Sequence, residues 1–139
     1  MKLFLDANVL FTAAHNPGGK AAFVIELAGE GYWEVVTSSF AIEEARRNLE
    51  IKFPETLDAF ENLMDGIKVV PAVFNETCPI ELPEKDVPIF LSALVAGCTH
   101  LLTGDLKDFG TFMNVPKQTS GILIQTVHEL LVATDRSPS

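Results

Sequence analysis

The pattern of apolar and polar positions along the chain predicts short strands and amphipathic helices in succession. Apolar runs predict strands over residues 3–5, 34–37, 67–70, 99–103 and 122–124. Apolar residues at helical spacing predict helices over residues 7–14, 21–28, 40–53, 55–65, 84–96 and 127–132. Pro and Gly separate many of these segments. This succession predicts a three-layer α/β/α sandwich around a mostly parallel sheet of about five strands.

The first predicted strand is apolar on both faces and ends at an acid. Leu3, Phe4 and Leu5 suit a strand that helices cover on both sides. Asp6 follows directly, and parallel sheets hold their chemistry just beyond the carboxyl ends of their strands. Asp6 is equally well explained as the N-cap of the helix that begins at Ala7. This segment alone leaves both roles open.

Three further acids stand beside the ends of predicted elements. Glu44 falls on the flank of the apolar stripe of its helix, whereas Glu43 falls nearly opposite that stripe. Asp86 precedes an apolar helix with Pro88 in its first turn, which a role as N-cap also explains. Asp105 follows the fourth strand in a glycine-bounded loop.

These acids share one edge of the sheet if the first and fourth strands are neighbours. Asp6 and Asp105 would then lie side by side, and helix N-termini would bring Glu44 and Asp86 to the same edge. Two carboxylates ~4 Å apart repel by about 4 kcal/mol at an effective dielectric constant of about 20, so the cluster requires protons or cations. An all-oxygen ligand set favours Mg²⁺ or Mn²⁺ over zinc. Such ions support phosphodiester hydrolysis without a protein nucleophile.

Composition limits the remaining possibilities. The 139 residues, 47% of them hydrophobic, predict one globular domain over residues 1–134 with a frayed tail over 135–139. Neither a signal peptide nor a membrane span is visible, and Cys78 and Cys98 form no Cys-x-x-Cys pair. We therefore expect reduced thiols in a cytoplasmic protein. A net charge of −9 argues against broad non-specific binding of nucleic acid, although acids gathered to hold cations inflate that count.

Four short segments, in this order and at this spacing, resemble the PIN-domain family over nearly the whole chain. They are residues 5–9, 38–49, 85–97 and 101–105. The resemblance implies a metal-dependent endoribonuclease, often the toxin of a toxin–antitoxin pair and often a homodimer. It implies an Mg²⁺ or Mn²⁺ site lined by Asp6, Glu44, Asp86 and Asp105, with Asp108 as a possible extra ligand.

The resemblance also suggests supporting residues around the acids. Carboxylates or waters would be oriented by Asn8, Ser38 and Thr103, for which roles in turns and caps are the alternative. Arg46 and Arg47 would contact RNA phosphates, or would lie on a solvated helix face. The expected partners are an RNA substrate and an antitoxin protein, with no membrane.

Other functions gather acids at the ends of parallel strands. A receiver-like signalling domain needs paired early acids and a lysine after a late strand, whereas here Asn8 follows Asp6 and Lys117 precedes the last strand. A phosphatase of the Asp-x-Asp type is opposed by Asn8, which takes the place of the second acid. A catalytically silent PIN-fold binding module is a further alternative.

Overall fold

The computed structural model describes residues 1–136, so residues 137–139 of the predicted tail over 135–139 lie outside the described residues. Within them, five strands form one parallel sheet in the order β3-β2-β1-β4-β5. The strands are Lys2–Leu5 (β1), Glu34–Ser38 (β2), Lys68–Val70 (β3), His100–Leu102 (β4) and Leu123–Gln125 (β5). The helices are Ala7–His15 (α1), Lys20–Gly29 (α2), Ser39–Lys52 (α3), Leu57–Met64 (α4), Val87–Val95 (α5), Leu106–Phe109 (α6) and Val127–Ala133 (α7).

Strand β1 is the centre of the sheet. Its residues Leu3, Phe4 and Leu5 are fully buried, because helices cover both faces. Leu3 pairs with Val35 of β2 on one side and with His100 of β4 on the other. The first and fourth strands are therefore neighbours, which is the condition under which the acids meet. Chain order reverses between β1 and β4, and ligands of parallel α/β sheets bind beyond the carboxyl ends of strands at such a switch point.

The helices form the two outer layers of the predicted sandwich. Helices α1 to α4 belong to the connections from β1 to β2 and from β2 to β3, and they pack against one another, with α7 against α2. Helix α5 connects β3 to β4, packs on β2 and β4, and runs across the sheet in the opposite direction. Because right-handed crossovers in opposite directions lie on opposite faces, α5 covers the second face. The predicted fold class is confirmed, and the sheet is parallel throughout.

Apart from shifts of one residue at element ends, local structure departs from the predictions in three segments. The segments predicted as helices from residues 55 and 84 begin with the 3₁₀ turns Pro54–Thr56 and Glu84–Asp86. The predicted glycine-bounded loop contains α6, a single helical turn. This turn forms because the Asp105 side chain accepts a hydrogen bond from the backbone N–H of Asp108 at 3.1 Å and caps it.

Other features of residues 1–136 bear on the remaining expectations. Cys78 and Cys98 are free thiols. Among these residues, no helix combines the length and apolar character that crossing a bilayer requires. At the end of the described chain, the backbone N–H of Arg136 donates to the carbonyl of Leu131 at 2.8 Å, and its guanidinium lies 3.8 Å from the centre of the Tyr32 ring.

Candidate active site

Asp6 is buried directly after β1 and makes three hydrogen bonds. Its Oδ1 accepts from the backbone N–H of Ala7 at 2.7 Å, so Asp6 caps α1, one of the two roles that the sequence leaves open. Its Oδ2 accepts from Thr103 Oγ1 at 2.8 Å and from Asn8 Nδ2 at 3.2 Å. Burial raises the pKa of Asp6 to about 6, although the hydrogen bond from Thr103 opposes that rise. The Asp6 side chain therefore caps α1 and also contacts Thr103, which directly follows β4.

Asn8 and Thr103 join the two strand ends through a small polar network. Asn8 Nδ2 also approaches Thr103 Oγ1 at 3.3 Å, and Asn8 Oδ1 accepts from the backbone N–H of Gly104 at 2.7 Å. Thr103 Oγ1 accepts from the backbone N–H of Asp105 at 3.0 Å. The Gly104 N–H fixes the orientation of the Asn8 amide, because an N–H donor must face its oxygen. Both side chains thus hold Asp6 against the loop that carries Asp105.

Three acids come together beyond β4. Asp86, Asp105 and Asp108 each offer a carboxylate oxygen, and these oxygens lie within 4.8 Å of one another. Asp86 stands at the N-cap position of α5 but makes no capping hydrogen bond. Its side chain is buried, and its Oδ2 has no hydrogen-bond partner among the described residues 1–136. Because a buried polar atom without a partner is costly, the orphaned oxygen points to a missing ligand.

Lys85 supplies a positive charge beside these acids that we did not predict. Its Nζ lies 3.1 Å from Asp108 Oδ2 and 3.9 Å from Asp105 Oδ2, although its side chain is largely exposed. The only sequence signal was its position next to Asp86. The hydrogen bond to Asp108 raises the pKa of Lys85, so the ammonium is retained. The ammonium of Lys85 therefore offsets part of the negative charge of the three acids.

Protonation relieves part of the remaining repulsion. Burial, followed by the neighbouring Asp108 carboxylate, raises the pKa of Asp86 to about 7. The pKa of Asp108 is lowered, first by the neighbouring Asp86 and then by Lys85. The charge of Asp6 contributes to the rise at Asp86. Asp86 is thus the acid that holds a proton most readily in the metal-free cluster.

Glu44 and Ser38 lie at the same edge but outside the three-acid group. Glu44 lines a recess of about 190 Å³ with Asn8 and Lys52, and its charge contributes to the raised pKa of Asp6. Ser38 is fully buried, and its Oγ accepts from the backbone N–H of Ala41 at 3.2 Å. Ser38 therefore caps α3, which is one of its two predicted roles.

The two arginines of α3 have different surroundings. Arg46 pairs with Glu43 at 2.7 Å and with Glu61 at 2.9 Å, and its guanidinium lies 5.7 Å from the centre of the Phe60 ring. Arg47 is exposed. The ion pairs occupy Arg46 on the surface between α3 and α4.

The donor set suits a hard divalent cation. Asp86, Asp105 and Asp108 provide oxygen ligands, the kind that Mg²⁺ and Mn²⁺ prefer. The orphaned Asp86 Oδ2 provides a buried acceptor that such an ion would satisfy. Asp6 has used three of the roughly four acceptor positions of a carboxylate, which leaves one on Oδ1.

The sheet order and the acids beyond β1 and β4 define a three-layer α/β protein with an acidic site at its switch point. Comparison with solved structures makes the class more specific. VapBC2 from Rickettsia felis, solved with a DNA fragment from its promoter, is similar with a TM-score of 0.62 and 15% identity, covering 91% of this chain and 98% of that one. FitAcB from Neisseria gonorrhoeae is similar with a TM-score of 0.58 and 14% identity, covering 91% and 98%.

A third similar structure is VapC20 from Mycobacterium tuberculosis, a Sarcin-Ricin loop cleaving toxin. Its TM-score is 0.51 at 13% identity, covering 71% of this chain and 86% of that one. No protein-family model matches the sequence, and no curated protein matches it. The chain has the PIN-domain fold that its four motifs predicted. The strand order also argues against a receiver domain, whose order is 2-1-3-4-5.

Proposed function

We propose that this protein is an Mg²⁺- or Mn²⁺-dependent endoribonuclease that hydrolyses RNA phosphodiester bonds as the toxin of a toxin–antitoxin pair. The observation that carries the proposal is the buried Asp86 oxygen without a partner, beside Asp105 and Asp108 at the switch point of the sheet. The PIN-domain fold, shared with a toxin that cleaves the Sarcin-Ricin loop, supports RNA as the substrate class.

The ligands that we assign are Asp86, Asp105 and Asp108, with Asp6 and Glu44 completing the acidic edge. When bound, the ion supplies activation of water and stabilisation of charge on the leaving oxygen. The protein positions the carboxylates around the ion. Thr103 and Asn8 fix Asp6 through hydrogen bonds, so that its remaining acceptor position keeps one orientation.

The test is metal-dependent cleavage of defined RNAs by the purified chain. Asp105→Asn keeps the size of the side chain but removes one charged ligand, and we expect it to abolish cleavage in Mn²⁺. Asp65→Asn is the matched control, because Asp65 is exposed at the end of α4. Circular dichroism checks that both variants fold. Cleavage by Asp105→Asn at the parent rate would show that the site is wrongly assigned.

The same variants separate an enzyme from a silent binding module. A module would bind RNA with no cleavage at any Mg²⁺ or Mn²⁺ concentration, and Asp105→Asn would not change that outcome. An active enzyme loses cleavage on chelation by EDTA and regains it when Mn²⁺ is added in excess.

The toxin role predicts a cellular effect and a protein partner. Expression of the parent chain should arrest bacterial growth, whereas expression of Asp105→Asn should not. Co-expression of the antitoxin encoded beside this chain should restore growth. We also propose a homodimer, which sedimentation of the purified chain tests directly. If the purified parent chain cleaves RNA but its expression leaves growth normal, the toxin role is wrong and the nuclease assignment stands.

A further inference from the structure

A second cavity adjoins the acidic edge, and its charge is opposite to that of the rest of the molecule. Its volume is about 600 Å³, within the ~300–1,000 Å³ typical of small-molecule sites. It begins at Gly104 and at Asn8 and Thr103, which donate to Asp6, and extends between α1, α2 and α7. The chain carries a net charge of −9, yet no carboxylate of residues 1–136 lines this cavity.

The ionisable residues that line the cavity are Lys20 and His128. Lys20 Nζ lies 2.7 Å from His128 Nδ1. Because an ammonium has only donors, Nδ1 is the acceptor, and Nε2–H remains as a further donor. Lys20 retains two N–H donors for another group. The adjacent Glu129 is engaged elsewhere, because it accepts from the backbone N–H of Thr126.

The backbone adds positive potential at the same place. Lys20 is the first residue of α2, a helix of 10 residues, and Gly19 caps it without a side-chain hydrogen bond. The N–H groups of a first helical turn attract anions. Lys20, His128 and this helix end therefore converge on one side of the cavity. Asn8 and Thr103 line the side towards the acids, because both side chains donate to Asp6.

We infer that this cavity binds the nucleotide next to the scissile phosphate of a single-stranded RNA, with that nucleotide's phosphate on Lys20 and His128. The inference rests on the proposed function, which places the scissile phosphate at the acids. Asn8 lines the cavity and also donates to Asp6 at the acidic edge. An RNA strand that runs from the acids across Asn8 therefore places a neighbouring nucleotide in the cavity. Amide and hydroxyl groups of the lining suit the polar edges of a base. The cavity thus offers an RNA strand positive charge outside the acidic site, where the one ammonium described above, that of Lys85, pairs with Asp108.

The experiment compares Lys20→Gln with Lys68→Gln, two variants that each remove one exposed lysine charge. Lys68 lies at the start of β3, at the opposite edge of the sheet, and its one ion pair is an exposed contact with Glu34 at 3.9 Å. Binding of a labelled six-nucleotide RNA is measured in the Asp105→Asn background, so that no cleavage occurs. Cleavage of the same RNA is measured in the parent background. Thermal unfolding confirms that each variant is folded.

We expect Lys20→Gln to weaken RNA binding on the order of tenfold, the loss that removal of a charged hydrogen bond produces. The slope of log affinity against log salt should fall in magnitude by about 0.7. In cleavage, KM should rise with kcat nearly unchanged, because the lost contact is made equally in the ground and transition states. Lys20→Arg should restore binding, and Lys68→Gln should behave as the parent.

Each other outcome separates this inference from the proposed function. If the parent cleaves RNA while Lys20→Gln and Lys68→Gln bind it equally, the inference is overturned and the nuclease stands. If no RNA is cleaved but binding still depends on Lys20, the nuclease fails and the RNA subsite stands. An oligoglutamate peptide that displaces RNA at equal concentration would show a general anion site and would overturn the nucleotide assignment.

Discussion

The buried Asp6 carboxylate gives a quantitative test of the electrostatics at the acidic edge. The pKa of Asp6 rises from 3.8 to about 6 in the folded protein, chiefly because of burial. At about 1.36 kcal/mol per pH unit, this difference corresponds to about 3 kcal/mol. The folded state holds the proton more tightly than the unfolded state. The stability that this proton contributes is therefore complete below pH 3.8 and is lost as the pH rises through about 6.

Asp6→Asn removes this dependence but also changes hydrogen bonds. An Asn side chain keeps one acceptor for the N–H of Ala7, but its NH₂ group cannot accept from Thr103 and Asn8 as Oδ2 does. That cost does not vary with pH. Between pH 3.8 and 7.5 the parent loses this proton-linked stability and the variant does not. The free energy of unfolding of Asp6→Asn, measured relative to that of the parent, should therefore rise by about 3 kcal/mol over this pH range.

The assay is urea unfolding of the metal-free protein in EDTA at several pH values. Trp33 is the one tryptophan of the chain and is buried, so its fluorescence reports unfolding. Asp65→Asn serves as the control, because Asp65 is exposed. A difference between Asp6→Asn and the parent that stays constant over this pH range would refute the electrostatic account of Asp6.

Three further outcomes follow from the same site. Mn²⁺ at 100 times its dissociation constant should raise the free energy of unfolding by about 2.7 kcal/mol. In differential scanning calorimetry this corresponds to a rise in Tm on the order of 10 °C. Asp86→Asn should show no such rise. Lys85→Ala should tighten Mn²⁺ binding about threefold in titration calorimetry, because the ammonium near Asp108 competes for the acids, and unchanged or weaker binding would contradict this. Thr103→Val should raise the pKa of Asp6 above 6 in a carbon-13 NMR titration, since Asp6 loses a donor; an unchanged pKa would remove that role for Thr103.

Local patterns in the sequence predicted most of the elements. The apolar run at residues 3–5 suits a strand between two helical layers, and Asp6 is an ordinary N-cap for the helix that follows. Glu43 was expected opposite the apolar stripe, and it is exposed in an ion pair with Arg46. These predictions succeeded because spacing and capping act within a few residues.

The candidate site needed contacts between distant parts of the chain. A role as N-cap also explains Asp86, because the sequence does not show that its side chain is buried without capping α5. Lys85 was overlooked, because a lysine beside an acid in sequence carries no sign of which acids it faces in space. The predicted loop that contains α6 shows the same limit, since a single turn depends on one side-chain cap.

The sequence by itself determined the strands, most helices and the presence of acids at strand ends, because these depend on periodicity and local hydrogen bonding. Tertiary structure alone decided that β4 lies beside β1, where Thr103 reaches Asp6 across 97 positions of sequence. It also decided that Lys20 meets His128, 108 positions away. Strand order depends on how helices pack over the whole sheet, and burial at the resulting edge sets the pKa of Asp6 and Asp86.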